Sequence, residues 1–562
     1  MILQRLKDFF PRMPDASPTM YKKSAVKWAV DLDGSGNLVG YVPLSGGGSS
    51  TRDRGKPMLV PTVVKTSGIR AILLADNAEY ALGLPKDSKT TARHRAFCDL
   101  VKECADSTKD ADVEAVVKFL EARAGSTEDL PKEMKPEDVV TFRVNDRFPV
   151  NTRSVQDFWA RASQKGQGEQ MQCLICGNVG PAEESTTIKI KGIPGGQPSG
   201  TAVISANAPA FESYGLRRNL TSPVCRSCSE AFAKSINYMI EADQHHLRVG
   251  PIIFLFWTRE ENEFSPATLV SKPGEKEVQD LIDSHRTGKW SQVADPPVFY
   301  ATAFSASGGR AVVRDWLETT VPRVKMMLAR WFALQRIVET DGAPGRPFGV
   351  YALAASLYLK PNEQMVANVP RALIRCALQG GSLPDWLLAQ ALRRNVAEQG
   401  VTRNRAALIK AVLLSQIHDI QEGYMEKLDS TCKSPGYLCG RLLAELEAAQ
   451  YQALQPTATL VDRFYGAASS SPAIVFGNLL RGLQAHMAKL RKDRPRVFHA
   501  IDGRLQDIMS QIGDFPKTLN LKEQALFALG YYHQKAANRA AAIAHKEEND
   551  TQAMEEHGHA AQ

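Results

Sequence analysis

The sequence predicts an α+β multidomain protein in which a mixed α/β N-terminal region precedes a C-terminal helical bundle. Three observations predict this class: short apolar runs separated by turn residues near the start, two Cys-x2-Cys pairs in the middle, and long amphipathic patterns from about residue 366 onward. The 562 residues leave room for several domains. We predict an N-terminal α/β domain, a zinc-knuckle segment, an α/β core, a helical bundle and a disordered tail, spanning 1–165, 166–250, 251–365, 366–545 and 546–562.

The N-terminal region contains the pattern of a hairpin followed by a basic loop. Apolar runs at 27–33 and 38–42 flank the turn residues Gly34-Ser-Gly-Asn37, which is typical of a β-hairpin. Residues 45–50 are only Gly and Ser, so we expect the loop that continues to residue 56 to be mobile without a ligand. Its cations, Arg52, Arg54 and Lys56, are candidate contacts to nucleic acid.

Further along, helical spacing covers 90–124, and 139–150 and 186–206 have strand patterns separated by Gly and Pro turns. Residues 251–257 are strongly apolar but far shorter than the ~18 residues that a membrane-spanning helix needs, which predicts a buried strand. Charges interrupt the first ten residues, and no export signal is recognisable. We therefore expect a cytoplasmic protein without a membrane partner.

The C-terminal third has the pattern of a helical bundle. In one helix, Leu479, Leu483, Met487 and Leu490 form the stripe of a helix that packs along one side. The tail after residue 545 is polar and acidic, so we expect it to be disordered. The amphipathic stretches are 384–392, 404–421, 438–451, 478–491 and 521–544.

Positive charge is concentrated in one part of the chain. The formal net charge is +8, and residues 301–420 alone hold 15 Lys and Arg against 8 Asp and Glu, a local charge of +7. An excess of this size suits a surface that faces a nucleic-acid backbone. A solvated helix face accounts for it equally well.

The familiar enzyme motifs do not occur. Gly55-Lys56 precedes Pro57 and Gly288-Lys289 precedes Trp290, so there is no phosphate-binding P-loop. The glycines at 34, 36 and 40 have the wrong spacing for a dinucleotide fingerprint. Neither His-Glu-x-x-His nor Gly-x-Ser-x-Gly is present. We expect a protein that is not an enzyme.

Four of the nine cysteines form two pairs, Cys173/Cys176 and Cys225/Cys228. Four thiolates supply the closed tetrahedral set of a structural Zn²⁺ site. Gly177-Asn178 follows the first pair like the turn of a zinc knuckle, and the second pair precedes a helical pattern at 229–239. The 48 intervening residues exceed the spacing of a simple zinc ribbon, so four unrelated buried thiols remain the alternative.

Between the pairs, residues 204–215 form a loop that contains Asn207 and Tyr214. Asn, Ser and Tyr side chains in such a loop can contact a phosphate or a base. Turn chemistry alone explains the same composition equally well.

Several motifs occur together in a fixed order and carry a resemblance. They are the loop at 204–215, Met58-Leu-Val-Pro61, Lys65-Thr-Ser-Gly-Ile-Arg70 leading to Asp76-Asn-Ala-Glu-Tyr-Ala-Leu-Gly83, the stretch from Ser307 to Leu317, and Leu529-Gly-Tyr-Tyr-His-Gln534. With these motifs the chain resembles the large subunit of the type I-C CRISPR Cascade surveillance complex over nearly its whole length.

The resemblance implies a non-enzymatic subunit of an RNA-guided complex. Such a subunit recognises the protospacer-adjacent motif in duplex DNA, helps to open the duplex into an R-loop, and docks a separate helicase-nuclease. Since the guide RNA reads the long target by base pairing, protein is needed only for the short motif, the backbone and the displaced strand.

Residues are assigned to these roles by their donors and charges. Lys65, Thr66, Ser67, Arg70 and Asn77 suit the reading of the motif in a groove, and Arg310 and Arg314 suit contacts with the backbone. Arg491 and Lys492 belong to a basic cluster that suits the displaced strand, although a solvated helix end explains this cluster equally well.

The implied partners are the guide RNA, the other Cascade subunits, target double-stranded DNA with its displaced strand, and the helicase-nuclease. The resemblance also implies a helical small subunit made by internal translation, for which Met425 is a candidate start. Two alternatives remain: a zinc-stabilised nucleic-acid-processing enzyme, and a structural assembly scaffold without DNA contact.

Overall fold

The computed structural model describes residues 2–14, 16–44, 55–63, 68–123, 125–163, 168–286, 296–417 and 423–560, excluding the side chains of 285–286 and 548–560. The chain divides into two compact units. The first comprises Met1–Lys189 with Ile204–Ile236, and the second Ile190–Val203 with Asn237–Gln562. This division is coarser than the five predicted segments, whose boundaries stay a prediction.

A four-stranded sheet with the order β3-β2-β6-β5 organises the first unit, and β1–β4 and β7–β8 form two further antiparallel pairs. The predicted hairpin is confirmed as β2–β3, and the Asp33 carboxylate accepts backbone N–H bonds from Ser35 and Asn37, each at 2.9 Å, which fixes the turn. The strands are β1 Tyr21–Val26, β2 Trp28–Leu32, β3 Leu38–Pro43, β4 Lys56–Pro61, β5 Ala75–Asn77, β6 Val139–Val144, β7 Gln170–Gln172 and β8 Val179–Pro181.

Helices cover this sheet and bury an apolar core. Phe97 and Phe119 from two consecutive helices contact Phe142 of the sheet, with ring centroids 6.0 and 6.3 Å away. The predicted helical region at 90–124 is therefore a pair of helices. The described helices of this part of the chain are α1 Ile2–Phe9, α2 Ala78–Ala81, α3 Thr90–Thr108, α4 Ala111–Arg123, α5 Arg153–Ala162 and α6 Arg226–Glu241.

The second unit contains an antiparallel sheet with the order β12-β11-β10-β9. Its strands are β9 His246–Val249, β10 Ile252–Thr258, β11 Val298–Ser307 and β12 Arg310–Thr320. Every residue of β10 is buried, which confirms the predicted buried strand at 251–257. Among the helices in the described part of the chain, none combines the length and apolar character needed to cross a membrane.

The predicted C-terminal helical region is confirmed, and Leu479, Leu483, Met487 and Leu490 are all buried on one side of their helix. The described helices of the second unit are α7 Pro266–Ser271, α8 Glu275–Arg286, α9 Val321–Gln335, α10 Val350–Ala355, α11 Pro361–Gln364, α12 Asn368–Gln379, α13 Asp385–Ala397, α14 Arg403–Ser415, α15 Pro435–Leu454, α16 Val461–Ser470, α17 Pro472–Asp493, α18 Pro495–Met509 and α19 Leu521–Ala560.

Helices α15 and α19 approach each other closely at glycines. A Cβ atom added to Gly440 would lie 2.0 Å from the Phe527 carbonyl oxygen, and one added to Gly530 would lie 2.2 Å from that of Tyr437. No real Cβ contact is that short, so both positions require glycine.

The predicted strands at 186–206 are wrong. Residues 186–206 form only isolated bridges, such as Ile190 with Thr201, because Gly192, Gly195 and Gly200 adopt positive φ and interrupt any strand. Helix α19 extends to Ala560 through a segment rich in the helix formers Ala, Glu and Gln, and the disorder expected for 546–562 stays a prediction.

Candidate metal centre and nucleic-acid interface

The first cysteine pair lies in a tight turn between β7 and β8. The Gly177 N–H donates to the Cys173 carbonyl at 2.9 Å, and Gly177 adopts a φ of +79° that favours glycine. The Ile175 N–H donates to the Cys173 Sγ at 3.4 Å. This turn directs both sulfur atoms to one side and holds one of them with a backbone N–H.

The second pair lies where α6 begins. Cys225 directly precedes the helix, and Cys228 is in its first turn, where the helix dipole favours thiolates. Backbone contacts join the start of α6 to the β7–β8 region that holds the first cysteine pair. Cys225 forms a β-bridge with Ala182, and the Leu174 N–H donates to the Pro223 carbonyl at 3.0 Å. The folded backbone thus closes the 48-residue gap that weakened the pattern in the sequence.

All four sulfur atoms lie within 4.8 Å of one another. The Sγ atoms of Cys176 and Cys225 are 3.8 Å apart. A tetrahedral Zn²⁺ site with Zn–S bonds of ~2.3 Å requires S–S separations of ~3.8 Å. These four residues therefore fit a metal ion such as zinc, and the alternative of four unrelated thiols is wrong.

Electrostatics agree with a shared cation site. A hydrogen bond from the Cys228 thiol lowers the pKa of Cys225, whereas the same hydrogen bond and burial raise the pKa of Cys228. Burial also raises the pKa of Cys176. A coordinated cation would stabilise the thiolate form of these cysteines.

The loop between the pairs surrounds a polar cavity of about 360 Å³. Asn207 is at its edge and exposed, and Lys189 and Arg218 contribute the cations of the lining. The buried Asn219 side chain fixes the loop, since it accepts the Ala206 N–H at 3.0 Å and donates to the Thr186 hydroxyl at 3.2 Å. The sequence indicated the loop but not the cavity.

The predicted motif-reading residues and the cations of the preceding basic loop lie only partly within the structure. Lys65, Thr66, Ser67, Arg52 and Arg54 are outside the described residues. Of the rest, Lys56 is exposed at the start of β4, Arg70 is exposed before β5, and Asn77 is half-buried at the end of β5.

The segment between Arg70 and Asn77 is held by one carboxylate. Buried Asp76 accepts the Ile72 N–H at 2.7 Å and the Asn77 N–H at 2.8 Å. Asn77 precedes α2, and its side chain makes no capping hydrogen bond to that helix. The Asn77 amide is thus presented from a fixed backbone.

Arg310 and Arg314 both lie on β12, the edge strand of the second sheet. Arg314 is exposed, and its Nε donates to the Ser305 hydroxyl at 2.7 Å, which fixes the stem of its side chain. Arg310 is half-buried next to the Gly308-Gly309 turn.

Much of the positive excess at 301–420 serves the fold. Lys410 is buried and donates to the carbonyls of Ala333 and Arg336 at 3.2 and 2.6 Å, where α9 ends. Arg330 donates to the Gly380 carbonyl at 2.8 Å, and buried Arg405 pairs with Glu398. A count along the sequence cannot separate such internal cations from surface cations. The local charge of +7 therefore overstates the positive charge of the surface.

Arg491 and Lys492 occupy the last turn of α17 and are exposed. Other exposed cations of this region are Arg481, Lys489, Arg494 and Arg496. Arg494 donates to the Gln452 side chain at 3.0 Å. Arg491 and Lys492 lie at the C-terminus of α17, where the helix dipole favours cations, whereas Arg481 is in the middle of α17 and Arg496 is in the first turn of α18.

The motif at 529–534 has a packing role that the sequence did not indicate. The Nδ1 atom of buried His533 shares a hydrogen bond with the Tyr437 hydroxyl at 3.0 Å. The Gln534 side-chain oxygen accepts a hydrogen bond from the Arg441 Nε at 3.0 Å. Burial lowers the pKa of His533 to about 3, so its ring is neutral in the folded protein. These residues connect α19 with α15.

Residues 4–538 match the model of a CRISPR-associated protein family, Cas_Csd1. None of the curated proteins matches the chain.

Proposed function

The chain belongs to the Cas_Csd1 family of CRISPR-associated proteins, and from this premise we propose that it is the large subunit of a type I-C Cascade complex. In this role it recognises the protospacer-adjacent motif in duplex DNA, helps to open the duplex, and docks a separate helicase-nuclease. It is not itself an enzyme. The observation that carries the proposal is the family match over nearly the whole chain.

The positions of exposed cations support contact with DNA. Arg70 and the Asn77 amide flank a backbone segment fixed by Asp76, which suits the reading of a groove. Arg314, Arg491 and Lys492 are exposed and suit phosphate contacts. The alternative of a structural scaffold predicts that none of these groups contacts DNA.

The Cys173/Cys176/Cys225/Cys228 cluster binds one structural Zn²⁺ in this proposal. Four cysteines complete a tetrahedral site and leave no open position for a substrate or water. The ion would fix the start of α6 to the β7–β8 turn. This closed ligand set disfavours a metal-dependent nucleic-acid-processing enzyme at this centre.

The remaining partners follow from the same role: the guide RNA, the other Cascade subunits and a helical small subunit. We further propose that an internal start at Met425 yields that small subunit, because α15–α19 all lie after it.

The motif-reading loop is tested in the assembled complex with Lys65→Ala and Asn77→Ala. Loss of a base contact should reduce discrimination between motif and mutated motif by ~1–3 kcal/mol, whereas loss of a phosphate contact should weaken all targets alike and lower the salt slope by ~1. The control is Lys132→Ala, which removes an exposed lysine of the same unit. Unchanged affinity and unchanged preference in both variants would remove this loop from the site.

A further inference from the structure

The turn Ser213–Leu216 exposes an aromatic side chain in an unusual way. The Leu216 N–H donates to the Ser213 carbonyl at 2.9 Å, and the two central residues, Tyr214 and Gly215, have φ values of +55° and +73°. Positive φ at both central positions defines a type I′ turn, which favours Asn-Gly. The Tyr214 side chain is 99% exposed.

This arrangement is unfavourable for folding in two ways. A bulky residue at positive φ is strained, and strained residues of this kind cluster at functional sites. Exposure leaves the large apolar ring in water. Asn is the favoured residue at this position of the turn, so the turn geometry does not account for the tyrosine.

The turn rises from the edge of the cavity between the cysteine pairs. Glu212 and Arg218, which flank the turn, both line the cavity, and the Arg218 N–H donates to the Glu212 carboxylate at 3.4 Å. Arg218 approaches the Glu184 carboxylate at 4.0 Å, with the two side chains 65% and 52% exposed. Phe211, at the end of a preceding 3-10 turn, is 44% exposed.

The side chains of this site offer groups that can contact a base and a phosphate. Aromatic rings on exposed loops stack on bases, and this suits an unpaired base because both faces of a paired base are already stacked. Lys189 and Arg218 suit a phosphate, while the carboxylates of Glu184 and Glu212 and the amide of Asn207 can bond to the edge of a base. A volume of about 360 Å³ is within the usual range for a small-ligand site.

We propose that the Tyr214 turn and the adjoining cavity hold one unpaired nucleotide of the target DNA, with its base stacked on the tyrosine ring and its phosphate near Lys189 and Arg218. The inference rests on the proposed function, since it names the part of the DNA that this loop contacts. It adds a nucleotide site in the segment between the two cysteine pairs.

The test is a coupling measurement in the assembled complex. Target duplexes carry a single abasic nucleotide at successive positions in either strand around the motif, and their affinities are compared for wild type, Tyr214→Asn and Tyr214→Phe. Tyr214→Asn removes the ring while relaxing the turn, so its thermal stability should equal or exceed that of wild type. Tyr214→Phe keeps the ring and should behave as wild type.

At one position, loss of the base should weaken wild-type binding about 5- to 150-fold, as expected for one stacked base, and should have little effect in Tyr214→Asn. If the wild-type complex binds the duplex, but the effect of removing a base is the same in wild type and Tyr214→Asn at every position, this inference is overturned and the proposed function stands. If the wild-type complex does not bind the duplex, the proposed function fails and the inference fails with it.

Discussion

At the scale of single residues, the four cysteines carry the clearest chemistry. Their spacing predicts two knuckle-like pairs, and the structure brings all four sulfur atoms within 4.8 Å. Because ligands of a structural zinc ion are spread over two distant segments, metal binding and folding should be coupled at this centre.

We predict that purified protein contains one zinc per chain and that Cys225→Ser reduces this content and lowers the thermal unfolding temperature. The reason is that binding free energy at such a site becomes folding free energy. Elemental analysis and thermal unfolding measure the two effects, with Cys98→Ser as the control because Cys98 lies outside the cluster. Well under one zinc per wild-type chain would contradict the zinc assignment.

At the scale of elements, sequence periodicity and turn chemistry identified the hairpin β2–β3, the buried strand β10 and the long C-terminal helices. They failed where backbone conformation at glycines or tertiary contacts decide. Residues 186–206 lack strands because glycines interrupt them, and cations such as Lys410 cap helix ends that the sequence does not bring near them. The closing of the cysteine cluster across 48 residues likewise depends on the bridge between Ala182 and Cys225.

The glycine contacts between α15 and α19 give a prediction at this scale. Gly440→Ala should destabilise the protein by ~1–3 kcal/mol or more, because the new methyl group would overlap the Phe527 carbonyl. Gly482→Ala in α17 is the matched control. Its Cβ would meet open space, and the higher helix propensity of Ala should stabilise the helix by up to ~1 kcal/mol.

Chemical denaturation of both variants measures these effects. Equal stabilities for the two variants would contradict the close packing of α15 against α19.

At the scale of the whole molecule, the C-terminal helices form a core of their own. The buried cluster that contains Leu442, Phe476 and Leu505 is built from residues after Met425. Tyr437 and Tyr532 instead belong to the larger core of the second unit. A fragment that starts at Met425 would keep the first set of contacts and expose the second set to a partner.

We predict that expression of the gene with a C-terminal tag yields a second product of about 15 kDa, which is the mass of 138 residues at the mean residue mass of the chain. Met425→Leu should abolish this band and leave the full-length protein, whereas Met487→Leu should leave both bands. A single full-length band from the wild-type gene, with the complex still assembled, would reject the internal product.

The central claim is that this chain gives the complex its recognition of the motif in duplex DNA. The most direct measurement compares the affinities of complexes assembled with and without this chain for duplexes that match the guide and differ only in the motif. We predict that the full complex prefers the intact motif by at least about tenfold, as expected for ~1–3 kcal/mol per specific base contact, and that this preference disappears without the chain. An equal preference for the motif without this chain would contradict the account.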